Sequence, residues 1–94
     1  MISRQTDRYF LEGPVTLDNV GKLIAESSAF EGNSVVVDLS RVTRADSSAL
    51  SLLLEWVRRF AESDRKIAFS NVSQNMRSLA ELYGIADLIP VAAD

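Results

Sequence analysis

The chain has 94 residues, a formal net charge of −3, no cysteine and no histidine, with 47% apolar and 24% charged residues. That is one domain with enough apolar material for a core of its own. The composition excludes disulfides, thiolate metal sites, cysteine nucleophiles and any catalytic triad that needs imidazole. The negative charge argues against nucleic acid or anionic lipid as a general partner.

Met1 to Gln5 reads as an edge strand, Thr6-Asp7 as a turn, and Tyr9-Phe10-Leu11 as a short strand that Gly13-Pro14 terminates. The polar start, Met1 to Arg8, has no signal-peptide core, and no apolar run approaches the ~20 residues of a membrane span, so a cytoplasmic protein is expected. Thr16 is placed to cap a first helix, with Leu17, Val20, Leu23 and Ile24 on its buried side and Lys22 and Glu26 outside. Glu31-Gly32-Asn33 ends it.

The run Val35-Val36-Val37 is β-branched, barely alternates and stops at Asp38-Leu39, the pattern of a central strand covered on both faces. A polar loop follows. Asp46 then caps a helix running to about Glu62, whose Leu50, Leu53, Leu54, Val57 and Ala61 recur at helical spacing. Ser63-Asp64-Arg65 is a turn and Lys66 to Ser70 a strand. Ser73 caps a third helix carrying Met76, Leu79, Ala80 and Tyr83, and Gly84 stands where a helix end calls for a left-handed residue. Leu88-Ile89 reads as a last short strand before Pro90.

Strands alternating with helices predict an α/β domain over residues 1–94, a small mixed sheet of about four or five strands with three helices. The first two strands are close enough for a hairpin, and the later ones, joined through helices, run parallel.

The aliphatic strand ending in Asp38-Leu39-Ser40, followed after a short loop by Asp46-Ser47-Ser48-Ala49-Leu50 and an apolar helix, resembles the STAS domain. This is the fold of anti-sigma-factor antagonists and of the small STAS subunit of Mla-type ABC phospholipid transporters. Leu11-Glu12-Gly13-Pro14 and the Leu79-to-Gly84 segment extend the likeness over nearly the whole chain. In the sigma-factor branch a serine is phosphorylated, and the matching position is Ser48, although Ala49 replaces that pattern's glycine. In the transporter branch Ser47 matches the functional hydroxyl, with Ser48 and Ala49 in place of glycines. The stretch Leu79 to Pro90 resembles the ending of the transporter subunit, and the stop at Asp94 is read the same way. The resemblance therefore implies a non-catalytic subunit, without cofactor, that binds the ATPase of a system maintaining outer-membrane lipid asymmetry and meets the membrane only through that complex. The alternative it implies is an antagonist released from an anti-sigma-factor serine kinase by phosphorylation at Ser48.

Ser47 and Ser48 fall in the first turn of a helix, where N–H groups are free and the dipole is positive. A phosphate on either serine would gain from that, with Arg41 or Arg44 in reach and Asp46 opposing. The plain alternative is that serines favour helix starts. On the helix, Leu50, Leu53, Leu54 and Val57 form a core stripe, and Ala49, Leu52, Trp56 and Phe60 form a second apolar stripe beside it. The second either packs on a neighbouring helix or offers Leu52 and Trp56, rimmed by Arg59, as a docking patch. Asp38 reads as a loop brace, Arg58-Arg59 and Arg65-Lys66 as solvated surface, and no carboxylate spacing suggests a metal site.

Overall fold

In the computed structural model, which describes residues 1–5 and 8–92, the elements run β1 (Ile2–Gln5), β2 (Arg8–Leu11), β3 (Gly13–Val15), α1 (Val20–Glu26), β4 (Ser34–Asp38), β5 (Val42–Ala45), α2 (Ser47–Glu62), β6 (Lys66–Ser70) and α3 (Gln74–Leu82). The main sheet has the order β1-β2-β4-β6, with β1 antiparallel to β2 and the remaining pairs parallel. The hairpin and the parallel strands are as the sequence predicts. The turn expected at Thr6-Asp7 lies outside the described residues.

Each parallel step moves the chain one place in the same direction across this sheet. Right-handed crossovers then put the helices on one face. Tyr9, Leu11, Val35, Val37, Ile67 and Phe69 join the helix side chains in a single core, each at most 6% exposed. Phe10, Val36 and Ala68 alternate with them and are only half-buried. The three consecutive valines thus belong to a strand covered on one face, not two. Part of the other face is closed by the Arg41 guanidinium, which stacks 3.9 Å from the centre of the Phe10 ring.

Two short strands stand where loops were expected. Gly13, with φ of +85°, turns the chain out of β2, and Gly13–Val15 then pairs in parallel with Val42–Ala45 as a separate two-stranded sheet. Pro14 is tolerated there because such a ribbon consists only of edges. The first helix also starts late. The Asn19 side chain accepts from the Thr16 N–H at 2.9 Å and donates to the Pro14 carbonyl, so residues 16–19 form a turn and α1 begins at Val20. It ends at Glu26 and passes into a 3-10 turn, Ser27–Ala29, ahead of the expected Glu31-Gly32-Asn33 stop.

The remaining elements follow the sequence more closely. Ser73 accepts from the Met76 N–H at 3.1 Å and caps α3, which buries Met76 and Ala80, while Tyr83 at its end is 55% exposed. Gly84 has φ of +71° at the helix exit. Leu88-Ile89 is not a strand: Ala86–Leu88 is a 3-10 turn, and Val91 is the residue that bridges to Phe69. Arg65 is more than solvated surface. It donates to the Gly32 and Phe30 carbonyls at 2.7 and 3.0 Å and stacks on Phe60.

Candidate docking site at the start of the long helix

The two-stranded sheet places the site. Val15 lies beside Ala45 in the parallel register, and the Asp46 N–H donates to the Val15 carbonyl at 3.4 Å. Thr16-Leu17 and Asp46-Ser47 therefore leave the sheet side by side. Asp46 is the N-cap of α2, as its sequence position predicts. One carboxylate oxygen accepts from the Ser48 N–H at 2.8 Å and the other from the Leu17 N–H at 3.2 Å. Burial works to raise the pKa of Asp46, but the donors at Ser48 and Leu17 outweigh it and hold the carboxyl below its usual range.

Around this brace Ser47 is exposed, Ser48 is half-buried and Leu17 is 74% exposed. Leu17 is the residue the sequence reading misplaced. Its spacing to Val20, Leu23 and Ile24 suggests a buried helical position, yet it sits ahead of the helix, exposed, with its backbone N–H on the Asp46 carboxylate. The signal that could have found it is Asn19, a strong cap type immediately before Val20. Ala49, which stands where the related patterns have glycine, is 1% exposed and packs into the core.

The helix end has little left to offer an anion. The Ser48 N–H is taken by Asp46, and the Ala49 N–H donates to the Asp46 carbonyl at 3.0 Å. Arg41 is committed elsewhere, to Glu12 at 2.7 Å and to the Phe10 ring. Arg44 is exposed on β5, where it lines a groove of about 330 Å³ with Ser73 and Asn75.

Behind the loop, Asp38 braces the carboxyl ends of the strands. It accepts from the Ser40 N–H at 2.8 Å, from Arg8 at 3.0 Å and from Asn71 at 2.9 Å. Arg8 also donates to the Ser70 hydroxyl at 3.2 Å, so one network ties β2, β4 and β6 together. Burial opposes ionisation of Asp38, and the hydrogen bonds from Ser40, Asn71 and Arg8 override it, bringing the pKa down to about 2. This is the loop brace expected of it.

Leu52 and Trp56 do not form a docking patch. Each is 1% exposed, and Trp56 packs edge-to-face on Phe30 with ring centres 5.1 Å apart. The stripe assigned to the flank, Ala49, Leu52, Trp56 and Phe60, is fully buried, whereas Leu54 and Val57 of the supposed core stripe are only partly so. The physical reason is that α2 fills the angle between the sheet and both neighbouring helices, α1 and α3. Arg59 remains on the surface, tied to Glu55 at 2.6 Å, and its Cα position is about 18 Å along the helix from Ser47. It rims no patch around the serines. Among the described residues no group of His, Cys, Asp or Glu could hold a metal ion, and no helix is long and apolar enough to cross a membrane.

Comparison with known proteins adds the following. Residues 2–90 match the family model described as Mlab, STAS domain. Over 55 residues the chain is 34% identical to the intermembrane phospholipid transport system binding protein MlaB of Escherichia coli K12, covering 57% of this chain and 57% of that protein. The match thus spans little more than half the length of this relative. Among solved structures, the anti-sigma factor antagonist SpoIIAA in its unphosphorylated form has a TM-score of 0.72 at 18% identity, over 100% of this chain and 88% of that one. The phosphorylated form of Bacillus SpoIIAA has a TM-score of 0.68 at 20% identity, over 100% and 91%. At such identities the two structures speak for the fold.

Proposed function

Because this chain belongs to the MlaB-type STAS domain family, we propose that it is a non-catalytic, cytoplasmic accessory subunit of an ABC phospholipid transport system and docks on the ATPase of that system. The observation that carries this reading is the braced corner at the start of α2. Asp46 ties the backbone of Leu17, an exposed apolar residue, to the start of the helix that carries exposed Ser47. Such a corner supplies binding energy and positioning, since its shape is set before the partner arrives. Ser47, half-buried Ser48 and Leu17 form the contact in this reading. Leu52 and Trp56 act from beneath by holding α2 in place, and Arg59 lies outside it.

Binding here would stabilise the assembled transporter and support ATP hydrolysis by the partner, with no chemistry done by this chain. Affinity purification of the tagged protein from its native cell tests the reading. Recovery of an ABC ATPase supports it. Recovery of a serine kinase together with a sigma factor overturns it in favour of a phosphorylation switch at Ser48.

A further inference from the structure

A second surface lies on α3 and the segment that follows it, and it shares no residue with the corner at Ser47. Arg77 and Glu81 stand four apart on α3, both exposed, and both line a groove of about 220 Å³ floored by Met76, Ala80 and Ile89 and edged by Val91. Val91 is 60% exposed and Leu88, just before the groove-lining Ile89, is 57% exposed, so the surface here is apolar as well as concave. The charges on α2 are satisfied within the chain: Glu55 pairs with Arg58 and Arg59, and Glu62 pairs with Arg58. Arg77 and Glu81 make no ion pair among the described residues. Their order, arginine before glutamate, is the less favourable one for pairing along a single helix.

One charge of each sign on the rim of an apolar groove is self-complementary. In a two-fold interface the same patch meets itself, and two antiparallel copies of α3 whose two-fold axis passes midway between positions 77 and 81 bring residue 77 of each opposite residue 81 of the other. Both ion pairs then form at once over a shared apolar floor. We infer that the α3 groove binds a second copy of this chain in an isologous dimer, with Arg77 and Glu81 exchanged between copies.

Sedimentation equilibrium from micromolar to several hundred micromolar protein tests this. The wild type should show a reversible monomer–dimer equilibrium. Arg77→Glu sets like charges against each other twice and should weaken self-association by about tenfold. Arg77→Glu combined with Glu81→Arg restores opposite signs and should recover the dimer. Both positions are exposed, so circular dichroism should show each variant folded. A wild type that stays monomeric throughout overturns the inference. So does a dimer indifferent to Arg77→Glu, or one that the double exchange fails to recover. None of these outcomes bears on whether the ATPase docks at Leu17 and Ser47.

Discussion

The carboxylate of Asp46 joins α2 to the backbone of Leu17, 29 residues earlier in the chain, while its second oxygen caps the helix at Ser48. Helix cap and surface brace are one group. The position of Leu17 relative to Ser47 is therefore set by the same interaction that starts the helix.

Replacing Asp46 should separate those roles. Asparagine keeps an oxygen able to accept from Ser48, whereas alanine accepts from neither N–H. Thermal unfolding should rank wild type above Asp46→Asn and Asp46→Asn above Asp46→Ala. Amide exchange at Leu17 should rise in both variants, because the second acceptor is gone or weakened.

Trp56 should behave as core. Trp56→Ala should cost about 3–5 kcal/mol in urea unfolding, the usual range for an aromatic deleted from a packed interior. Trp56→Phe should cost much less, about 1–2 kcal/mol, because the indole N–H has no hydrogen-bond partner among the described residues and its loss leaves nothing unpaired. Equal stability of Trp56→Ala and wild type would return Trp56 to the surface.

Asp38 predicts a specific acid sensitivity. Its folded pKa of about 2 lies below the ordinary value of 3.8, so the ionised form favours the folded state. The sign follows directly. The contribution is fully present above pH 3.8, falls as pH drops through the interval, and is gone below about 2. For this buried group it is on the order of 2 kcal/mol. Glu12, Asp46 and Glu55 also have lowered values and add to the same acid slope. Asp38→Asn should flatten, without abolishing, the pH dependence of stability between pH 2 and 4 as followed by denaturant unfolding.

How much of this was legible in the sequence depends on how local the cause is. The cap at Asp46, the cap at Ser73 and the left-handed Gly84 are decided by neighbours within a turn, and each stands where the residue type predicts. The strands at Gly13–Val15 and Val42–Ala45 are decided by each other, across more than twenty residues, and Thr43 and Arg44 give no apolar pattern to reveal them. Periodicity showed that α2 is apolar over a wide arc. It could not show that the flanking stripe, Ala49, Leu52, Trp56 and Phe60, is the more deeply buried one, because that depends on α1 and α3 packing against the same helix. Leu17 failed for the opposite reason: its spacing fits a helix, but Asn19 delays the start by a turn. The site's first half, Asp46-Ser47-Ser48, was therefore visible, while its apolar half was hidden in a residue assigned to the core.

The most direct test is a binding titration of the purified chain against the purified ATPase of the phospholipid transporter from the same cell, comparing wild type, Leu17→Asp and Ser47→Glu. Both substitutions fall on exposed positions and should change stability by no more than about 0.5 kcal/mol. Each should weaken binding at least about tenfold if the braced corner is the contact. Wild-type binding that both folded variants reproduce unchanged would contradict the assignment of the corner, and no binding by the wild type would contradict the partner itself.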